Sequence, residues 1–326
     1  MKVLVTGASG HLGNILCRML VEQGHHVVAA ALDATTSKSL AGLDIAKFDA
    51  DIRDRRKMDE LLQNQEIVFH LASIVRITKD HDKIMQSINI DGTKIVAEAA
   101  LKANVKKFIH VSSIHALSAQ PKNEMINEQR ELALFKWNFD YDRSKALAEI
   151  ALLDVVKHGL NAIIINPTGF IGPHDYEPSI MGSSMMKFFQ SRMLFFIRGG
   201  FNFVDVRDVA KTLINSMSRG DIGERFIVGG EWITSRQIAE KIIATRGFKG
   251  ILCKMPIFLV LFSFSLQWIC SKLFGTKILY SNQSIAHLDA HRYIDDSKAR
   301  RILQHESRSL TETFHDFYRW MCRVEK

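Results

Sequence analysis

Tyr141 and Lys145 stand four residues apart in Tyr-Asp-Arg-Ser-Lys, a spacing that puts both side chains on one face of a helix. An ammonium beside a phenol stabilises the phenolate, so the pair suits proton exchange with a substrate hydroxyl or carbonyl. Upstream, Ser112 and Ser113 close an apolar run, and a hydroxyl there can hydrogen-bond a reacting oxygen as charge develops on it. Near the start, Thr6-Gly7-Ala8-Ser9-Gly10-His11-Leu12-Gly13 joins another apolar run to a helical pattern. Glycines so spaced let the chain turn tightly, bring backbone N–H groups against a pyrophosphate and let the helix pack closely on the strand. The strand–turn–helix context gives the three glycines this meaning.

These groups need a frame. Apolar runs at Lys2–Thr6, Val27–Leu32, Ala46–Asp51, Ile67–Ala72, Phe108–Ser112 and Ala162–Asn166 predict strands. Between them, 3.6-residue patterns predict helices over Leu12–Gln23, Arg55–Gln63, Ile84–Ala103 and Tyr141–Lys157. Nearly continuous apolar strands alternating with helices imply a doubly wound parallel sheet covered on both faces, a Rossmann architecture. After Pro167 the rhythm breaks: prolines, a Met- and Phe-rich stretch over Met185–Phe196, a strand at Arg225–Val228 and a helix over Ser235–Thr245 follow. Residues 1–170 thus read as the dinucleotide-binding domain. Residues 171–326 read as a smaller substrate-binding lobe, interleaved with the last sheet elements at about 203–230.

Composition narrows the class. The chain has 326 residues, 47% hydrophobic and 24% charged, with a net charge of +8, which is globular and neither disordered nor fibrous. The basic excess comes without a cluster of basic residues or zinc-finger spacing, so no nucleic-acid partner is expected. Cys17, Cys253, Cys270 and Cys322 are far apart and form no CxxC pair, which disfavours a zinc site and a disulfide framework and fits a reducing, cytoplasmic setting. His287 and His291 lack the HExxH pattern, so no metal is expected there. Residues 255–271, flanked by Lys254 and Lys272, are mostly apolar but short for a span. They read as a buried helix or as a peripheral membrane contact.

The end of the second strand should read the adenosine ribose, where an acidic residue favours NAD and a nearby Arg favours NADP. Asp33 lies 20 residues past Gly13, but Thr35, Thr36, Ser37 and Lys38 follow it and could receive a 2′-phosphate. The residues leave NAD and NADP both open.

Together these pieces resemble the extended short-chain dehydrogenase/reductase family, also called the NAD-dependent epimerase/dehydratase family. The likeness is nearest to its dihydroflavonol reductase and 3β-hydroxysteroid dehydrogenase branch. Thr6–Gly13, Asp51-Ile52-Arg53-Asp54, His70-Leu71-Ala72-Ser73, Asn89–Thr93, Val111–Ser113, Tyr141–Lys145, Asn166–Pro173, Phe203–Ala210 and Asp296–Ala299 carry it, in family order. The resemblance implies Tyr141 as general acid/base, Lys145 on the nicotinamide ribose and lowering the Tyr141 pKa, and Ser113 orienting the substrate oxygen. Gly7, Ser9, Gly10, His11, Leu12 and Gly13 would cradle the pyrophosphate, and Asp51 and Ile52 would meet the adenine. Leu71, Ala72 and Ser73 would line the cofactor groove, with Pro167 near the nicotinamide amide. Asn89 would bridge backbone groups. Two family markers are missing: Leu32 stands where NADP reductases carry Arg, and Ala31 where NAD enzymes often carry Asp. Asn166 replaces the Arg that many epimerases place before the proline.

The reading is a NAD- or NADP-dependent dehydrogenase or reductase acting on a carbonyl or secondary alcohol of a bulky apolar small molecule, dihydroflavonol- or steroid-like. The alternatives are a nucleotide-sugar epimerase or dehydratase and a non-catalytic dinucleotide-binding protein. By the same resemblance, helices near 84–103 and 141–157 would pair two copies as a homodimer.

Overall fold

The computed structural model describes residues 1–76, 83–135, 138–247, 250–256, 259–260, 288 and 290–324. The chain opens with β1 (Lys2–Thr6), α1 (His11–Glu22), β2 (His26–Ala31), β3 (Ala46–Asp49), α2 (Arg55–Leu62) and β4 (Ile67–His70). Next come α3 (Thr93–Lys102), β5 (Lys107–Val111), α4 (Asp140–Lys157), β6 (Ala162–Pro167) and β7 (Gly169–Ile171). Then follow α5 (Ile180–Gln190), β8 (Met193–Phe196), β9 (Gly200–Asp205), α6 (Val206–Asn215), β10 (Arg225–Val228) and β11 (Glu231–Thr234). α7 (Ser235–Arg246), β12 (Ile251–Lys254), α8 (Ser297–Leu303) and α9 (Leu310–Val324) complete the described elements.

Seven strands form one parallel sheet in the order β10-β6-β5-β4-β1-β2-β3. Strand side chains alternate between two apolar layers. Val3, Val5, Phe69, Ile109, Ile163 and Ile165 pack with α1, α6 and α8 on one face. Leu4, Val68, Phe108 and Ile164 pack with α2, α3 and α4 on the other. Because β1 leads to β2 on one side and pairs β4 on the other, the winding reverses between them. A crevice opens there at the carboxyl ends of the strands.

The predicted strands exist, but four are shorter at that edge. β2, β3, β4 and β5 stop at Ala31, Asp49, His70 and Val111, since the chain leaves the sheet to build the crevice's walls. The helix predicted over Ile84–Ala103 is also divided. Gln86–Gly92 is a π-helical turn leading into α3.

Two smaller sheets, β11-β9-β7 and β12-β8, surround a further apolar cluster with α5, α7 and α9. Met185 and Phe189 of the Met- and Phe-rich stretch are buried in this cluster with Phe203, Phe314 and Trp320. Most of the apolar segment 255–271 lies outside the described residues. Among the described residues, no helix is long and apolar enough to cross a membrane, and no cluster of metal-ligating side chains occurs.

Candidate active site

The glycine turn has little room. Gly7 has φ +67° and faces the loop after β4, where an added Cβ would lie 2.7 Å from the Ala72 amide nitrogen. At Gly13 an added Cβ would lie 2.2 Å from the Gly7 carbonyl, so only glycine lets α1 start against β1. Gly10 precedes α1 without a side-chain cap, and helix geometry leaves the first N–H groups without intrahelical partners. Those groups and the helix dipole favour a phosphate. The His11 ring turns aside to share a hydrogen bond with the Pro173 carbonyl at 2.9 Å, and Asn14 donates to the His174 carbonyl at 3.1 Å. Both contacts tie the segment after β7 across the turn. Leu12 is buried in the α1 face of the core.

Ala72 donates its N–H to the Thr6 hydroxyl at 3.3 Å, and Leu71 donates to the Thr6 carbonyl at 3.2 Å. These bonds hold the β4 loop beside Gly7. Ser73 is exposed. The Asn89 amide accepts from Ile74 N–H at 2.8 Å, donates to the Ile74 carbonyl at 3.0 Å and reaches the Ser144 hydroxyl at 2.9 Å. This is the backbone bridge the resemblance implied, extended to α4.

At the β2 end, Ser9 donates its hydroxyl to the Asp33 carboxylate at 2.7 Å. Glu177, arriving from beyond β7, accepts from the Ser37 hydroxyl at 3.5 Å, and burial together with the nearby Asp33 charge raises its pKa. Lys38 is exposed, as is Leu32 at 73%. Asp51 is chelated by Arg53, whose side-chain hydrogen bonds hold the carboxyl below its usual range; Ile52 is buried against Gly92. The sequence offered no signal for Glu177, because no local pattern links it to Asp33.

Ser113, Tyr141 and Lys145 meet at the ends of β5 and α4. Burial pushes the Tyr141 phenol pKa up to about 12; the neighbouring Ser113 side chain opposes the rise and Asp142 adds to it. Ser113 Oγ accepts from the His115 N–H at 3.2 Å, so its own hydrogen remains for donation. Lys145, 3% exposed, donates to the Val111 carbonyl at 3.3 Å, and burial lowers its pKa to about 8 against the opposing charge of Glu149. The expected lowering of the Tyr141 pKa by Lys145 is therefore corrected. Desolvation of the phenol dominates, and the Lys145 ammonium is turned to the strand end.

Behind them, fully buried Glu149 accepts from Ser112 at 2.5 Å, Asn166 at 2.7 Å and Arg225 at 2.9 Å. Asn166 also donates to the Ser113 carbonyl at 2.8 Å, so the network fixes the serine's backbone. Glu149 lies one turn past Lys145, a spacing that could have flagged it. Pro167 ends β6, and beside it the buried Thr168 hydroxyl has no hydrogen-bond partner. The glycine cradle, the first N–H groups of α1 and this hydroxyl fit an elongated dinucleotide laid along the crevice.

The profile of the NAD dependent epimerase/dehydratase family matches residues 3–229. The chain belongs to that family, and its cofactor is a nicotinamide dinucleotide. Sterol demethylase protein B of Methylococcus capsulatus is 31% identical over 322 residues, covering 98% of each chain. A ketoreductase of Stigmatella aurantiaca acting on a farnesylated dihydroquinoline oxide is 24% identical, covering 78% of this chain and 76% of its own. Among solved structures, gox2253 superposes with a TM-score of 0.82 at 27% identity, covering 99% of this chain and 98% of its own. UDP-glucuronic acid 4-epimerase from Bacillus cereus shares the fold at a TM-score of 0.80 and 20% identity, covering 99% of this chain and 100% of its own.

Proposed function

We propose that this protein is an NAD-linked dehydrogenase or reductase of a secondary alcohol or ketone in a bulky, apolar, sterol-like molecule. The gathering of the Tyr141 phenol, the neighbouring Ser113 hydroxyl and Lys145, one turn further along α4, carries the reading. When bound, the dinucleotide supplies or accepts the hydride. Tyr141 holds the proton exchanged with the substrate oxygen, and Ser113 donates a second hydrogen bond to that oxygen. A phenol with a pKa near 12 is protonated at neutral pH, the form that gives a proton to a ketone oxygen. Lys145, charged below about pH 8, would hold the nicotinamide ribose.

The β2 end supports NAD over NADP. Asp33 can accept from a ribose diol, whereas a 2′-phosphate would lie beside two carboxylates, Asp33 and Glu177, without the Arg that Leu32 replaces. The likeness to sterol demethylase protein B along nearly the whole chain supports an apolar polycyclic substrate. Against nucleotide sugars, Asn166 presents no cation and is fully buried in the Glu149 network.

The test is a panel of sterol-type alcohols and ketones against UDP-sugars, with NAD and NADP. Turnover of the apolar compounds with NAD is expected. Turnover confined to the sugars would overturn the substrate reading.

A further inference from the structure

The chain's net charge is unevenly placed. Residues 178–204 and 241–288 carry nine Lys or Arg and no Asp or Glu, while the remaining 34 basic and 35 acidic residues nearly cancel. The excess of +8 therefore arises from two stretches, and both enter the same small sheet. One holds β8 and the other β12, which run parallel with Met193 opposite Ile251, Leu194 opposite Leu252 and Phe195 opposite Cys253. Alternation gives this sheet two faces. Leu194 and Leu252 turn inward onto the cluster that holds Phe189 and Phe203. Met193, Phe195 and Ile251 turn outward, exposed by 44%, 47% and 60%, with the half-buried Cys253 on the same face. Arg192 precedes β8, Arg198 follows it and Lys254 ends β12, all three exposed. Among the described residues none of these three cations forms an ion pair. Single exposed apolar side chains are ordinary, but a grouped apolar face inside a basic rim marks an interaction surface.

We propose that the outer face of the β8–β12 sheet docks this protein on the surface of an anionic lipid bilayer. Met193, Phe195 and Ile251 enter the boundary between head groups and acyl chains, and Arg192, Arg198 and Lys254 meet the lipid phosphates around them. Charge decides the occupant. In a two-fold pairing of two copies each patch would face itself, setting unpaired cations against identical cations. An anionic leaflet supplies the missing charge at every rim position, and each cation near it adds to the attraction. The face belongs to the lobe that follows β7 and leaves the glycine turn and the ends of β5 and α4 free, so docking and dinucleotide binding are compatible. Docking is independent of which substrate is turned over. It also brings the crevice to a surface where an apolar compound dissolved in the bilayer is within reach.

The experiment sediments the full-length protein with vesicles of phosphatidylcholine, alone or mixed with phosphatidylglycerol. Binding to the mixed vesicles is expected to be at least roughly tenfold tighter than to the neutral ones. Phe195→Ser combined with Ile251→Ser, and separately Arg192→Glu combined with Lys254→Glu, are each expected to weaken it by at least roughly tenfold. Melting temperature and NAD affinity should stay at wild-type values, since all four side chains are exposed. Hydrogen exchange of the wild type needs no variant: mixed vesicles are expected to protect the amides of 192–196 and 251–254. Absence of wild-type binding, equal binding to both vesicles, unchanged binding in the Phe195 and Ile251 double variant, or protection confined to other segments overturns the inference. So does a wild-type dimer that ignores vesicles and that the double variant dissociates, which would give the face to a second copy. None of these readouts uses turnover, so failure here leaves the dehydrogenase reading standing.

Discussion

The Lys145 ammonium, one helical turn beyond Tyr141, donates to the Val111 carbonyl at 3.3 Å, so its charge is held at the end of β5. Burial lowers its pKa to about 8, with the Glu149 charge opposing the shift. Lys145 is thus charged below that pH and neutral above it. The ratio kcat/KM reports groups of the free enzyme, so it is expected to fall as pH rises through about 8. In Lys145→Arg the guanidinium stays charged, and the alkaline decline should vanish at lower overall activity. A pH profile of kcat/KM for both proteins checks this; an unchanged decline in the variant would assign it to another group.

At the glycine turn, Gly13→Ala would set a methyl 2.2 Å from the Gly7 carbonyl. Either α1 shifts or the turn opens, and both spoil the N–H cradle. Dinucleotide affinity should fall by more than roughly tenfold, with a lower melting temperature. Gly10→Ala, whose Cβ would sit 3.3 Å from the same oxygen, should be the milder change. Calorimetric titration with NAD and thermal melting of both variants measure the difference.

Cofactor choice is expected to follow the Asp33–Glu177 pair. Glu177→Gln removes one of the two carboxylates without touching the Ser9–Asp33 hydrogen bond. NADP affinity should rise severalfold, and adding Leu32→Arg should raise it further, because the guanidinium matches a phosphate. Competition binding of NAD against NADP reads the ratio directly. No movement in that ratio would detach Glu177 from the ribose site.

Acid is expected to destabilise the fold through its buried histidines, His70, His110 and His174 foremost. His70, sharing hydrogen bonds with Thr6 at 2.8 Å and Thr93 at 3.0 Å, has its pKa lowered to about 3 by burial. His110 stacks on it at 5.4 Å and is lowered well below its usual value by burial and by the charges of His70 and Lys145. His174 is lowered to about 4, again chiefly by burial. Unfolding restores ordinary values, so the unfolded chain binds more protons as pH falls from about 6.5 towards 4. Stability is therefore present above pH 6.5 and lost below it. His110→Phe should reduce the steepness by about one proton, or about 1.4 kcal/mol per pH unit. Urea unfolding at several pH values supplies the slope.

Local patterns made much of this legible. The Thr6–Gly13 turn, the apolar strand runs and the Tyr141–Lys145 spacing each lie within a few residues, where periodicity and glycine chemistry act. What stayed hidden depends on tertiary approach. Glu177 meets Asp33, Arg225 meets Glu149, and His291 meets His115 only after the chain has wound back on itself. The π-helical turn at Gln86–Gly92 was equally invisible. Its extra residue per turn accompanies the reach of Asn89 to Ile74 and the Thr93 hydroxyl bond to the Asn89 carbonyl at 2.6 Å. The Tyr141 pKa ran opposite to the spacing argument because the degree of burial is a property of the folded site, which the four-residue interval does not contain.

In the proposed reaction the Tyr141 phenol carries the proton that accompanies hydride transfer at an apolar carbonyl. The measurement is NADH-linked reduction of a sterol-type ketone by wild type and Tyr141→Phe, with NAD affinity measured on both. A loss of roughly a hundredfold to ten-thousandfold in kcat is expected, with dinucleotide affinity changed by less than about threefold. Undiminished turnover in Tyr141→Phe would contradict it.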